Sequence, residues 1–111
     1  MDLLQKSCSP LKQGDKPLTT EAASELMACL TDWQLNPDNS AIQHEYRFKN
    51  YYQTIAFVNA IAWLSHQEDH HPDLEVSYNR CLVRYQTHAV GGLSENDFIC
   101  AARADALFGS D

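Results

Sequence analysis

The sequence predicts an α+β fold, in which elements in the order α-β-β-α-β-β-α form a four-stranded antiparallel sheet with helices packed on one face. Two pairs of short segments, each pair joined by turn residues, alternate apolar and polar side chains as the strands of a hairpin do. Three segments with apolar residues at helical spacing stand before, between and after these pairs. Hairpins that alternate with helices favour an antiparallel sheet covered on one side.

The chain begins with a polar segment that shows neither the apolar spacing of a helix nor the alternation of a strand. Residues 1–17 contain Pro10, Gly14 and Pro17, which interrupt regular structure. We therefore predict a loosely ordered N-terminal arm at residues 1–17 and a single domain at residues 18–111. A chain of 111 residues is short for a second domain.

The first helix and the first hairpin follow the arm. Thr19 or Thr20 is suited to cap a helix, and the helical spacing of apolar residues continues to about Thr31. Polar turn residues then separate two alternating segments, which predicts a hairpin. Its parts are an alternating segment at residues 33–35, the turn cluster NPDNS at residues 36–40, and a second alternating segment at residues 42–48.

A longer second helix begins after Asn50, which can cap it. This helix must end before Pro72, because the residue that precedes a proline is held out of the helical region. His71 is therefore expected to be extended, and His70 to lie at or just past the last turn. The apolar stripe of this helix is broad enough to cover the sheet and to contact another subunit.

The second hairpin and the third helix complete the order. A strand at residues 74–78, a turn at residues 79–80 and a strand at residues 81–87 predict the hairpin. The third helix is expected to begin at Ser94, with Asp97 three residues later as in a capping box.

Composition excludes several classes of function. The formal net charge of −7 and the eight scattered Lys and Arg residues argue against binding nucleic acid or an anionic membrane directly. No apolar run approaches the ~20 residues of a membrane span, and the first residues do not resemble a signal peptide. We expect a cytoplasmic protein with four reduced cysteines: Cys29, Cys81 and Cys100 packed in the core and Cys8 exposed on the arm.

Three histidines are the candidates for chemistry. His70 and His71 stand at the predicted end of a helix, and His88 follows the last strand. Imidazole is the side chain whose ordinary pKa lets it give and take protons near neutral pH. Asp97 could orient one of the rings by accepting its other N–H. Such a group could perform general acid–base catalysis on a small polar molecule without a metal.

Simpler interpretations exist for each of these residues. His70 could serve only as the positive partner of a helix C-terminus, and His88 could be structural. Asp97 could be no more than a charge at the start of a helix. His66 and His70 share a helix face and could bind a metal together with His71 or His88, although the HExxH spacing of zinc peptidases is absent.

Taken together, these residues resemble a known signature. The motifs are Asp69-His70-His71-Pro72, then Tyr78, then Thr87-His88, then Gly92-Leu93-Ser94 with Asp97 three residues later. Their order and spacing resemble those of the pterin-4a-carbinolamine dehydratases. The resemblance extends over residues 18–107, including LTTEAASELMACLTDWQL and YRFKNYYQTIAFVNAIAWL.

The resemblance implies a function. The family dehydrates 4a-hydroxytetrahydrobiopterin to quinonoid dihydropterin and water, which recycles the pterin after aromatic amino acid hydroxylation. It implies no metal and no organic cofactor, and assembly as homodimers or homotetramers. It also implies that the chain is a hydro-lyase whose substrate is a small-molecule pterin.

The resemblance also implies roles for individual residues. His70 and His88 would transfer protons, and His71 would hold the pterin and share the acid role. The substrate-binding or orienting set comprises four further residues. Pro72 would fix the turn between the adjacent rings, Asp97 would orient a histidine or cap the last helix, Thr87 belongs to the matched Thr-His pair, and Trp33 would cover one face of the pterin or pack in the core.

Two departures and one rival remain. Leu74 stands where many members have an aromatic residue, and His66 where some have an acidic one. The same scaffold also serves in the family as an interaction module that stabilises or assembles other proteins. The alternative to an enzyme is therefore a non-catalytic module with a protein partner.

Overall fold

A computed structural model describes residues 2–109 of the chain. The predicted arm begins, and the predicted domain ends, outside this range, at residue 1 and at residues 110–111. Two 3₁₀ turns, Leu3–Gln5 and His88–Val90, accompany the regular elements. In chain order these elements are α1 (Thr20–Met27), β1 (Gln34–Leu35), β2 (Ile42–Arg47), α2 (Tyr51–Glu68), β3 (Asp73–Ser77), β4 (Arg80–Tyr85) and α3 (Glu95–Phe108).

The α-β-β-α-β-β-α order and the antiparallel sheet are confirmed, with strands arranged β1-β2-β4-β3. The two hairpins pair through their second strands, β2 and β4, whose register joins Ile42 to Tyr85 and Tyr46 to Cys81. Because β4 lies inside the sheet, its end is held from both sides. That end leads directly into the segment that carries His88.

The helix starts follow the predicted caps. The Thr19 side chain accepts a hydrogen bond from the Ala22 N–H, and the Asn50 side chain accepts one from the Gln53 N–H. The predicted end of the first helix was wrong: α1 ends at Met27, not near residue 31. Beyond Met27 the N–H groups of Cys29 and Leu30 donate to carbonyls three residues earlier, as in a 3₁₀ turn. The helical spacing of apolar residues therefore extends past the end of the α-helix.

The second hairpin turn lies one residue earlier than predicted. Ser77 pairs with Arg80, so the loop is Tyr78-Asn79 and Arg80 already belongs to β4.

One face of the sheet is apolar, and helices cover it. The buried side chains on that face are Ile42, Tyr46, Cys81, Val83 and Tyr85. The other face carries ion pairs between strands, such as Arg80 with Glu45 at 2.9 Å.

The division into an arm and a domain stays a prediction, but the arm lies against the domain. The Leu3 side chain is buried in the core next to α3.

The prediction for two cysteines was wrong, because Cys29 is exposed and Cys8 is half-buried. Cys29 lies just past the end of α1, outside the helix face that packs inward. None of the helices within residues 2–109 is long and apolar enough to cross a bilayer.

Candidate active site

A cavity of about 550 Å³ opens between the end of α2, the end of β4 and the N-terminal arm. Its volume is within the range of small-molecule sites. The lining consists of residues 7–11, residues 67–71, residues 86–89 and Asn96. All three predicted catalytic histidines, His70, His71 and His88, therefore lie on one cavity.

The end of α2 brings two adjacent histidines to this cavity. The helix ends at Glu68, and Asp69 takes the left-handed conformation, with φ of 52°. The N–H groups of Asp69 and His70 both point back to the Ser65 carbonyl, which closes the helix. His70 and His71 thus leave the helix axis, because the chain turns sharply at Asp69 before it reaches Pro72.

Asp97 fixes the ring of His70 from beneath. Its side chain is fully buried, and its Oδ1 lies 2.6 Å from His70 Nε2. Its other oxygen accepts hydrogen bonds from the Thr87 hydroxyl at 2.8 Å and from the Ser94 N–H at 3.0 Å. The bond from Ser94 is one half of the predicted capping box. Asp97 therefore caps α3 and contacts His70 through the same carboxylate, and its role in orienting that ring for catalysis stays a prediction.

This arrangement selects one tautomer of His70. Asp97 acts as an acceptor toward Thr87 and Ser94, and a carboxylate offers only acceptors. His70 Nε2 must then donate its proton to Asp97. In the neutral ring, Nδ1 is left with a lone pair, and it can take a proton from a molecule in the cavity.

Tyr85 supports the same ring from the side. The rings of Tyr85 and His70 stack, with an interplanar angle of 11° and centroids 5.8 Å apart. Tyr85 is fully buried, and its hydroxyl has no hydrogen-bond partner among residues 2–109. Burial raises the pKa of this phenol above its ordinary value. No sequence pattern marks Tyr85 as a site residue, because it alternates like any inward-facing strand residue.

His88 lines the same cavity from the segment that follows β4. It is exposed and begins the 3₁₀ turn His88–Val90, which Gly91 closes with φ of 69°. Thr87, just before it, is buried and pairs with Gly92 through two backbone hydrogen bonds. The pairing anchors the loop, so that Thr87 supports Asp97 while the next residue reaches solvent.

Trp33 does not line the cavity that holds His70, His71 and His88. It is buried, and its indole N–H donates to both carboxylate oxygens of Asp105, at 3.0 and 3.1 Å. Tyr46 donates to the same carboxylate, and His44 Nδ1 lies 3.4 Å from it. The position of Trp33 matches the core-packing alternative for this residue.

The remaining predicted residues lie near the cavity or apart from it. Pro72 is half-buried next to His71, and Leu74 is half-buried against the core. The ring of His66 lies 5.5 Å from that of Trp63 on α2, not beside His70. Among residues 2–109, no three His, Cys, Asp or Glu side chains are grouped so that they could hold a metal ion.

Several lining residues were not foreseen from the sequence. The arm supplies residues 7–11, the end of α2 supplies Glu68, and the first turn of α3 supplies Asn96. No sequence signal marks them, since an arm without periodicity predicts no contact with a site about 60 to 90 residues away. Their placement depends on the packing of the whole chain.

The sequence matches one protein family. Residues 16–107 match the family described as pterin 4 alpha carbinolamine dehydratase. A relative from Nitrosospira multiformis, named "Putative pterin-4-alpha-carbinolamine dehydratase", is 57% identical over 107 residues, which are 96% of this chain and 93% of the relative. A relative of the same name from Nitrosomonas europaea is 58% identical over 110 residues, 98% of this chain and 96% of its own.

Two solved structures have similar folds. A protein described as a transcriptional coactivator/pterin dehydratase from Brucella melitensis has a TM-score of 0.81 and 30% identity, covering 85% of this chain and all of its own. A pterin dehydratase-like protein described as a RuBisCO assembly factor in the alpha-carboxysome has a TM-score of 0.63 and 27% identity. It covers 73% of this chain and 94% of its own.

Proposed function

Because the chain belongs to the pterin 4 alpha carbinolamine dehydratase family, we propose that it dehydrates 4a-hydroxytetrahydrobiopterin to quinonoid dihydropterin and water. One observation carries the proposal: three histidines line a single cavity, and a fully buried carboxylate fixes the ring of one of them. That combination supplies proton donors and acceptors to a neutral heterocycle near neutral pH.

The reaction requires two proton transfers. The bond between C4a and the hydroxyl oxygen breaks, and the oxygen leaves as water after it takes a proton. N5 loses its own proton, and the electrons of that N–H bond form the N5=C4a double bond. The overall reaction releases one molecule of water, and no atom is oxidised or reduced.

The two transfers are assigned to His70 and His88. Asp97 accepts from His70 Nε2, which leaves Nδ1 as the acceptor for a substrate proton. His88 is exposed, so a protonated His88 can exchange its proton with solvent between turnovers. His71, next to His70 on the same wall, is assigned to holding the pterin and sharing the acid role. In this assignment His70 is the base and His88 is the acid.

The test is stopped-flow absorbance of 4a-hydroxytetrahydrobiopterin, generated by an aromatic amino acid hydroxylase. Wild type is compared with His70→Ala and with His66→Ala, a matched histidine that lies outside the cavity on α2. EDTA is present throughout. Wild type and His66→Ala should accelerate the loss of the substrate, and His70→Ala should lose ~10²-fold or more of kcat. A wild-type protein that leaves the spontaneous rate unchanged would refute the proposal.

A second candidate function is a non-catalytic interaction module. It is favoured by the descriptions of the two structural relatives, one as a coactivator and one as an assembly factor. Exposed apolar side chains on α2, with Tyr52 81% and Trp63 61% exposed, are compatible with a protein contact. This candidate function is supported if the His70→Ala variant loses turnover but keeps its function in the cell. Capture with wild-type and His70→Ala baits would then identify the partner.

We further propose that the protein is a homodimer or homotetramer located in the cytoplasm. The position of β3 at the edge of the sheet and the exposed apolar residues of α2 support self-association. Sedimentation equilibrium distinguishes monomer, dimer and tetramer, since a single chain has a mass of 12.6 kDa. Fractionation of cells tests the location.

A further inference from the structure

We propose that the N-terminal arm is the third wall of the pterin site, and that its anchoring to α2 and α3 determines how tightly the substrate binds. The inference rests on the proposed function for the identity of the ligand. Residues 7–11 line the same cavity as His70 and His88, although they are remote in sequence. Without them the cavity would be an open cleft between the end of α2 and the end of β4.

The first anchor is a pair of hydrogen bonds from Asn96. Its side-chain oxygen accepts from the Ser9 N–H at 3.0 Å, and its side-chain nitrogen donates to the Ser9 carbonyl at 2.8 Å. A side-chain amide that meets both backbone groups of one residue imitates a β-strand partner. It fixes position and orientation together. Asn96 is itself buried and precedes Asp97 in the chain. The position of the arm is therefore fixed relative to the residue that contacts His70.

The second anchor comes from the end of α2. Glu68 accepts a hydrogen bond from the Cys8 N–H at 2.8 Å. Glu68 is the last residue of α2, two positions before His70. The sulfur of Cys8 lies 3.6 Å from that of Cys100 on α3. The arm is therefore held at the same two elements that hold His70 and Asp97.

Further anchors lie outside the cavity. Arg103 donates to the Lys6 carbonyl, at 2.6 Å, and Lys6 pairs with Glu95 at 3.1 Å. Leu3 is buried in the core. These contacts let the anchoring of the arm be weakened without changing any lining residue.

This geometry predicts an effect on binding rather than on chemistry. The arm supplies Ser7, Ser9 and backbone groups to the wall, but none of the imidazoles that move protons. If a weakened arm is in place only a tenth of the time, the apparent affinity falls about tenfold. The proton-transfer group, which β4, α2 and α3 position, stays intact. KM should therefore rise while kcat changes little.

The test compares two anchor variants with a control. Asn96→Ala removes the first anchor, and Arg103→Met removes the hydrogen bond from Arg103 to the arm while keeping most of the side-chain volume. Asn59→Ala is the matched control, since Asn59 is exposed on α2 and away from the cavity. Each variant is assayed for KM and kcat by stopped flow. Each is also titrated with 7,8-dihydrobiopterin, which has no 4a-hydroxyl to lose, and circular dichroism verifies the fold.

The expected result is a rise of about tenfold in KM and in the Kd for 7,8-dihydrobiopterin for Asn96→Ala. Arg103→Met should show a smaller rise of about threefold, since the Asn96 anchor remains. For both variants kcat should stay within about threefold of wild type. Unchanged KM and Kd in a folded Asn96→Ala protein would overturn the proposal. So would a fall in kcat alone, because the arm would then act on the chemistry.

The two proposals fail in different ways. If wild type accelerates dehydration and both anchor variants match it, the arm proposal is wrong and the dehydratase stands. If wild type binds 7,8-dihydrobiopterin without accelerating dehydration, the dehydratase proposal is wrong, and the Kd values alone decide the role of the arm. If wild type does neither, the cavity is not a pterin site and both proposals are wrong.

Discussion

Replacing Asp97 by Asn changes one atom at the most constrained point of the site. The Asn carbonyl oxygen can take the place of Oδ2 and keep the bonds from Thr87 and Ser94. The amide NH₂ then faces His70 Nε2 in place of Oδ1, which lies 2.6 Å from that nitrogen. Two donors cannot face each other, so His70 must move its proton to Nδ1 and lose the lone pair that the reaction needs.

The magnitude follows from the hydrogen bonds. To keep the productive tautomer, the variant must break the bond between residue 97 and His70 and leave a buried donor unpaired. This costs about 3 kcal/mol, which corresponds to about 100-fold in kcat. The two retained bonds and the unchanged volume keep the loss in free energy of unfolding below about 1.5 kcal/mol.

The assay is the stopped-flow dehydration assay, with urea unfolding run in parallel. The matched control is Asp32→Asn, because Asp32 is exposed and has a positive φ of 68°, a conformation that Asn also adopts. The control should retain wild-type kcat. A folded Asp97→Asn protein with kcat within threefold of wild type would refute the argument that Asp97 sets the tautomer of His70.

Four further predictions concern the thiols, the buried phenol of Tyr85 and the indole of Trp33. Burial raises the pKa of Cys81 to about 11, so only about one thiol in a thousand is ionised at pH 8. Iodoacetamide should therefore label exposed Cys29 first in native protein, as followed by peptide mass spectrometry, and early labelling of Cys81 would contradict the packing described. The Tyr85 hydroxyl is buried without a partner among residues 2–109, so Tyr85→Phe should be neutral or stabilising by about 1 kcal/mol in urea unfolding at pH 7. Because burial raises the pKa of Tyr85 in the folded protein, the unfolded chain loses its phenol proton first as the pH rises. Wild type should therefore lose about 1.4 kcal/mol of unfolding free energy per pH unit above about pH 10 through this residue, and an equally steep loss in Tyr85→Phe would contradict this. Trp33→Phe should lower the unfolding free energy by about 1–2 kcal/mol, since the Asp105 carboxylate loses its bond from the indole. It should leave KM unchanged, and a raised KM would instead support the prediction that Trp33 covers the pterin.

Local information was enough for most of the fold. The sequence predicts Asn50, and Thr19 or Thr20, as caps because a side-chain oxygen at such a position satisfies an N–H group only a few residues away, and the structure has Asn50 and Thr19 in these places. Pro72 limited α2 because the steric conflict that it creates involves only its neighbour. The end of α1 was misplaced for a related reason. The spacing of apolar residues past Met27 indicates only which side chains face the core. An irregular turn can direct those side chains to the core as well as a helix can.

The sequence by itself determined the order of the elements and the identity of the histidines, since periodicity, caps and motif spacing are properties of neighbouring residues. Only the tertiary structure decided what surrounds those histidines. Asp97 meets His70 across 27 positions, and Asn96 meets Ser9 across 87. Trp33 faces Asp105, and the stacking of Tyr85 on His70 depends on the register of β4. These contacts join elements whose distance in space follows from the packing of the whole core, and no local pattern encodes that distance.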